Sequence, residues 1–169
     1  MALDIFPVDG PWPGRLAVCA RPRSGTWMLD DVRALKGTGY DVLVSAITPR
    51  ELRELHLDRL GAACGEHGIE HVQFPIGNMQ VPPLDNVLPM LDRWDRALAE
   101  GRGIAFHCYG SVGRSPMLAA ALLVRGGVHP EIAWERLTRS RGRDVPDTLE
   151  QRRWVDGMAA GIDIHAALE

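Results

Sequence analysis

His107-Cys108-Tyr109-Gly110-Ser111-Val112-Gly113-Arg114-Ser115 stands between the apolar stretch Gly103 to His107 (GIAFH) and a longer apolar run, Met117 to Val124. The first reads as a short buried strand and the second as a helix spanning Ser111 to Gly126. A thiol at such a junction sits at a strand end and faces a helix N-terminus, where unpaired N–H groups and the helix dipole stabilise an anion. That setting favours the thiolate form of Cys108, the nucleophilic one. Gly110 and Gly113 let the backbone wrap with its N–H groups inward, as an anion nest. Arg114 falls in the first helical turn, where its planar fork can hold two oxygens of a phosphate. Ser115 is placed to hydrogen-bond the sulfur and make it a better leaving group.

The rest of the chain alternates in the same way. Arg15 to Ala20 reads as a first strand and Met28 to Lys36 as an amphipathic helix. Asp41 to Ile47 (DVLVSAI) is a β-branched run suited to a strand covered on both faces. Thr48-Pro49-Arg50-Glu51 is a capping box that opens a helix. A helix through Leu60 to His67, a strand at Glu70 to Phe74 and a Pro-rich loop from Pro75 to Pro83 follow. Leu84 to Glu100 is helical by periodicity, with Pro89 in its first turn or at a kink. Two more helices, Pro130 to Ser140 and Thr148 to Met158, close the chain. Strands alternating with helices, then helices alone, imply an α/β fold: a three-layer sandwich with a mainly parallel central sheet. One domain is expected over residues 1–169, with an irregular N-terminal arm over 1–14 and a C-terminal tail over 160–169.

The 169 residues are 46% hydrophobic and 24% charged, enough for one core without disulfide or metal staples. A net charge of −3 supplies no basic field for nucleic acid. Three scattered cysteines, Cys19, Cys64 and Cys108, make neither a disulfide framework nor a zinc site. No histidine pair has ligand spacing, so neither a metal nor another cofactor is expected. Asp4 and Asp9 stand where an export leader needs basic and then apolar residues, and the longest apolar run is far short of the roughly 20 residues of a membrane helix. The expectation is a cytoplasmic monomer without membrane contact.

His-Cys, five residues, then Arg-Ser resembles the signature of the cysteine-dependent protein tyrosine phosphatases, and the short chain resembles their dual-specificity branch. The resemblance extends from about Gly14 to Val155. It implies Cys108 as nucleophile, Arg114 and the amides of Tyr109, Gly110, Ser111, Val112 and Gly113 as phosphate binders, and His107 as the residue that orients the loop. Thr148-Leu149-Glu150-Gln151 is similar to a late segment whose Gln lies near the active site, which points to Gln151. It also implies a phosphorylated protein or peptide as partner, with phosphotyrosine as substrate and phosphoserine or phosphothreonine beside it. The loop adds no Lys or Arg at Tyr109, Ser111 or Val112, which disfavours inositol lipids and polyphosphates.

One position departs from the pattern. Phe74-Pro75-Ile76 before Val81-Pro82 resembles the segment that carries the family's general acid, yet Asn78 stands where the family has Asp, and an amide supplies no proton at neutral pH. Three readings stay open. Asp85 can swing in, although a carboxylate there is more often a helix cap. Asp147 is a weaker candidate beside its own helix start. In the third, no acid exists, and the chain is a slow phosphatase or a pseudophosphatase that binds phosphate without turnover. Cys64 is similar in placement to cysteines that capture an oxidised nucleophile in some relatives, although a small buried hydrophobe is its commoner role.

Overall fold

The computed structural model describes residues 2–168, with side chains through residue 159. In chain order its elements are β1 (Ile5–Val8), β2 (Leu16–Cys19), α1 (Trp27–Gly37), β3 (Val42–Ser45), α2 (Pro49–Glu54), α3 (Leu60–Glu66), β4 (Glu70–Gln73), α4 (Leu84–Ala99), β5 (Ile104–His107), α5 (Arg114–Arg125), α6 (Pro130–Arg141) and α7 (Leu149–Leu168). The five strands lie in the order β1-β2-β5-β3-β4. β1 runs antiparallel to β2, and the other neighbours are parallel.

All four residues of β2, β3 and β5 are buried, as a sheet covered on both faces requires. The right-handed crossover rule accounts for the layers: β2-α1-β3 and β3-α3-β4 step one way across the sheet, and β4-α4-β5 steps back on the opposite face. In keeping with this, α1 packs against α3, while α5 packs on β2 and β5 and against α4, α6 and α7. α5 is enclosed, with every residue from Arg114 to Val124 buried. Trp94 of α4 wedges edge-on between Phe74 and Phe106, at ring centroid distances of 5.7 and 5.1 Å. β5 therefore ends at the middle of the sheet, on the carboxyl side of its parallel neighbours, where ligands of such sheets bind.

Three expectations are corrected. The N-terminal arm is not irregular throughout: Ile5–Val8 pairs with Leu16–Cys19 as an edge strand. Pro7 is compatible with it because an edge strand leaves one row of N–H groups unused. Ser111 does not begin a helix, since its φ of 56° is left-handed and α5 starts only at Arg114. The tail is helical as far as it is described, because α7 continues to Leu168. Pro89 lies inside α4, beyond its first turn.

Candidate active site

The loop that follows β5 is shaped from outside by hydrogen bonds to four successive carbonyls. His107 Nδ1–H donates to the Cys108 carbonyl at 3.1 Å, and Arg21 Nη1 donates to that of Tyr109 at 3.1 Å. Arg141 reaches the carbonyls of Gly110 through Nη2 at 3.3 Å and of Ser111 through Nε at 3.0 Å. In a trans peptide the carbonyl and the next N–H point in opposite directions. Four carbonyls drawn outward thus turn the amides of Tyr109, Gly110, Ser111 and Val112 inward. The left-handed Ser111 is pinned by its own hydroxyl, which donates to the Cys19 carbonyl at 2.5 Å. Arg21 also stacks on the Tyr109 ring at 4.5 Å, and Arg141 on Phe6 at 4.6 Å.

Cys108 is 2% exposed, at the floor of this ring, and its Sγ lies 3.2 Å from Ser115 Oγ. α5 begins without a side-chain cap, at Gly113, so its first N–H groups remain available at the loop. Arg114 is 2% exposed and its fork is partly committed. Nη1 and Nη2 donate to the two oxygens of Glu51 at 2.6 and 2.8 Å, and the two N–H groups of Nη1 also serve the carbonyls of Ile76 at 2.8 Å and, more loosely, Ala46 at 3.5 Å. An arginine has five N–H groups, and these contacts use three. Nε–H and one Nη2–H meet no oxygen among the described residues and have the Cys108 sulfur as neighbour, on the edge that can meet two phosphate oxygens at once. Burial works against the Arg114 charge, yet the Glu51 hydrogen bond and the Cys108 thiolate beside it raise its pKa overall. The Arg114 hydrogen bond, with help from the Thr48 amide, holds Glu51 down at about 2 despite its partial burial.

Behind the thiol runs a second network. Ser45 Oγ lies 2.5 Å from His107 Nε2 and 2.8 Å from His71 Nε2. Since His107 donates through Nδ1, its Nε2 accepts the Ser45 hydroxyl proton, and the Ser45 oxygen accepts from His71. Burial lowers the His107 pKa to about 4 and also lowers that of His71. Both are neutral at physiological pH, and His107 orients the loop rather than carrying charge.

Above the ring opens a cleft of about 640 Å³ lined by Thr48, Arg50, Glu51, Glu54, Asn78, Met79, Tyr109, Gly110, Val112, Arg143 and Asp147. Asn78 thus occupies the cleft wall. Asp85 does not line it and lies exposed on the first turn of α4. Gln151 is buried behind Gly113, and its Nε2 donates to the Gln80 carbonyl at 3.3 Å, tying α7 to the Pro-rich loop. Trp27 stays outside the cleft, with Arg23 5.8 Å over its ring. Cys64 is a buried thiol pushed up to about 11 by burial, and the cysteine that feels the Cys108 charge is Cys19 of β2. Arg141, which the sequence places in a mixed-charge run that can rim the site, holds two loop carbonyls instead, and Glu51, Arg21, Ser45 and His71 are site residues that the sequence does not mark as such. Among the latter only Glu51 had a signal there, as a capping residue, and the reach of its carboxylate to Arg114 has no local signature.

Residues 17–128, which carry Glu51, Asn78, Cys108 and Arg114, match the family model described as "Tc-R-P: Polymorphic toxin system, DSP-PTPase phosphatase". Among curated proteins, cyclin-dependent kinase inhibitor 3 of Rattus norvegicus is 26% identical over 127 residues, covering 74% of this chain and 60% of the relative. The chain therefore spans about 60% of the length of that relative. The crystal structure of kinase associated phosphatase with a serine in place of its catalytic site cysteine superposes with a TM-score of 0.86 at 22% identity, covering 96% of this chain and 97% of the other. PTPMT1 does so with a TM-score of 0.76 at 19% identity, covering 98% and 99%. These two likenesses establish the α/β fold. The family match spans most of the sheet and the whole phosphate loop, and by it the chain belongs to the DSP-PTPase phosphatase family of polymorphic toxin systems.

Proposed function

We propose that the chain hydrolyses phosphomonoesters of phosphorylated proteins, with phosphotyrosine as the favoured side chain, through a thiophosphate on Cys108. The observation that carries this reading is the free edge of Arg114: two parallel N–H donors beside a thiol, above inward amides and a helix N-terminus. Cys108 Sγ attacks phosphorus, and the amides of 109–112 with the Arg114 fork hold the three equatorial oxygens as charge spreads over them. The Ser115 hydroxyl, 3.2 Å from the sulfur, stabilises the thiolate when it leaves again. Positive charge for the transition state comes from Arg114 and the backbone, so the chemistry needs no metal.

Substrate class follows from the walls. Met79 and Tyr109 offer exposed apolar surface for an aromatic ring, and no Lys or Arg at loop positions 109–113 addresses a second phosphate. The names of the relatives, a kinase inhibitor and a kinase associated phosphatase, support a protein as the bearer of the phosphate. A nucleophilic thiolate suits the reducing cytoplasm, since an oxidised sulfur cannot attack.

Steady-state hydrolysis of an activated aryl phosphate and of a phosphotyrosine peptide, with Cys108→Ser as blank, tests the reading. Turnover that vanishes in Cys108→Ser, with inorganic phosphate still binding, is the expected result. A Cys108→Ser rate near that of the parent chain, or no turnover of either ester, overturns it.

A further inference from the structure

A phosphatase working on phosphotyrosine must put a proton on the leaving oxygen, and Asn78 has none to give. We infer that Asp147, at the entry to α7, is the group that donates this proton and later takes one from the hydrolytic water; the inference rests on the phosphatase reading above.

The first support is that Asp147 is not occupied as a helix cap. Thr148 fills that role: the Gln151 N–H donates to Thr148 Oγ1 at 3.1 Å, and the Thr148 N–H donates to Gln151 Oε1 at 3.3 Å. Asp147 stands just before this box and has no hydrogen bond or ion pair with the described residues. The second support is where its carboxylate lies. A Cβ placed on Gly113 would stand 2.7 Å from Asp147 Oδ2, so the carboxylate rests on the bare backbone of the phosphate loop, one residue before Arg114. A side chain at 113 would expel it. The third is elimination among the carboxyl groups that line the cleft. Glu51 is consumed by Arg114, and its pKa of about 2 bars it from carrying a proton at working pH. Glu54 is engaged with Arg50 at 2.9 Å along the exposed face of α2. The charged groups that line the cleft together with Asp147 are Arg50, Glu51, Glu54 and Arg143.

The chemistry closes on itself. As Cys108 Sγ forms the S–P bond, the P–O bond to the leaving group breaks, its electron pair goes to oxygen, and the Asp147 carboxyl proton follows. In the second half the Asp147 carboxylate removes a proton from water as the water oxygen attacks phosphorus. The S–P bond then breaks, the pair returns to Cys108 as thiolate, and Asp147 is protonated again.

The test is the kcat–pH profile from pH 5 to 8 on a phosphotyrosine peptide and on an activated aryl phosphate, for the parent chain, Asp147→Asn and Asp85→Asn. Positioned acid–base groups contribute about 10²–10⁴-fold, so Asp147→Asn is expected to lose roughly that much on phosphotyrosine and to lose the basic-side fall in kcat. On the activated ester the first step survives, and a burst of phenol ahead of slow turnover marks a stalled thiophosphate. The melting temperature stays unchanged, since the side chain is exposed and makes no hydrogen bond or ion pair with the described residues. Asp85→Asn keeps the full profile. An Asp147→Asn chain that retains both the phosphotyrosine rate and the basic limb overturns the assignment, as does loss of both in Asp85→Asn. Failure of the parent chain to turn over the activated ester through Cys108 is a different result, and it overturns the phosphatase reading itself.

Discussion

Replacing Glu51 by Gln separates two tasks that one side chain performs. In the parent chain Glu51 accepts from the Thr48 N–H at 3.0 Å and from two nitrogens of Arg114 at 2.6 and 2.8 Å. Gln keeps an oxygen for Thr48, because either residue closes a capping box. Its retained oxygen, in the place of Oε1, still accepts from Arg114 Nη1, but the amide N–H in the place of Oε2 meets Arg114 Nη2–H, and the negative charge opposite the guanidinium is gone. Arg114 is 2% exposed and Glu51 15% exposed, so the pair is buried on one side only. Breaking a buried pair costs about 3–5 kcal/mol, and the partial exposure of Glu51 puts the expected loss near the lower bound, about 3 kcal/mol. The fork also loses the anchor that aims its free edge. At 1.36 kcal/mol per tenfold, an orientation loss of roughly 2.7 kcal/mol lowers kcat/KM about 100-fold. The assay is kcat/KM on an activated aryl phosphate together with the urea midpoint, with Thr48→Ala as the variant that removes capping alone. If Glu51→Gln keeps kcat/KM within about threefold while Thr48→Ala matches its loss of stability, Glu51 is a capping residue only and the argument fails.

Asn78→Asp adds a second carboxyl to the lining of the cleft that holds Asp147; it is expected to change the parent rate on phosphotyrosine by less than about tenfold and to restore about 10²-fold in the Asp147→Asn background, and no restoration would show that position 78 lies too far from the leaving oxygen. His107 is expected to make stability fall with acid: its pKa is lowered from 6.5 to about 4, so the unfolded chain binds the proton first as pH drops through that window. At 1.36 kcal/mol per unit this amounts to about 3 kcal/mol between pH 6.5 and 4. Urea midpoints should track it, with His71 adding in the same direction and Glu51 contributing only below pH 4.5, where its lowered pKa begins to matter; a flat profile from pH 7 to 4.5 would sink the assignment. Arg141→Gln releases the Gly110 and Ser111 carbonyls, and phosphate inhibition is expected to weaken by about tenfold, one charge-assisted hydrogen bond or less; unchanged inhibition would mean that the loop holds its shape without it.

What was legible in the chain was local. The strand–loop–helix at 103–125 could be read because apolar periodicity, two glycines and an Arg at the helix start all agree within one segment. Thr48 and Glu51 were equally legible as a capping box, which the structure reproduces. What the box does not disclose is that both carboxylate oxygens also accept from Arg114, a residue far along the chain. The same limit hid Arg21 and the hold of Arg141 on the loop carbonyls. Arg141 sits in a run of alternating charges that reads as a solvated face, and only the packing of α6 beside β1 brings it to the phosphate loop. β1 carries Pro7, whose cost in a strand depends on whether the strand is an edge, a property of the sheet rather than of the segment. Asp85 and Asp147 look alike in sequence, each beside a helix start, and only the course of the backbone sets one in the cleft and the other outside it.

α2 has six residues and none of them is buried. By its own contacts it ranks among the elements that open most readily, well before the sheet lets go. Its Glu51 is nonetheless the anchor of the buried Arg114, the phosphate clamp of the proposed reaction. Fraying of this one turn and a half would leave β2, β3 and β5 intact while setting Arg114 adrift, so activity should disappear at a lower temperature than the global melt. A bound oxyanion, by engaging the other edge of the same fork, would close that gap, and the amides of Leu52 and Leu55, which α2 holds to Thr48 and Glu51, would report it as slowed hydrogen exchange.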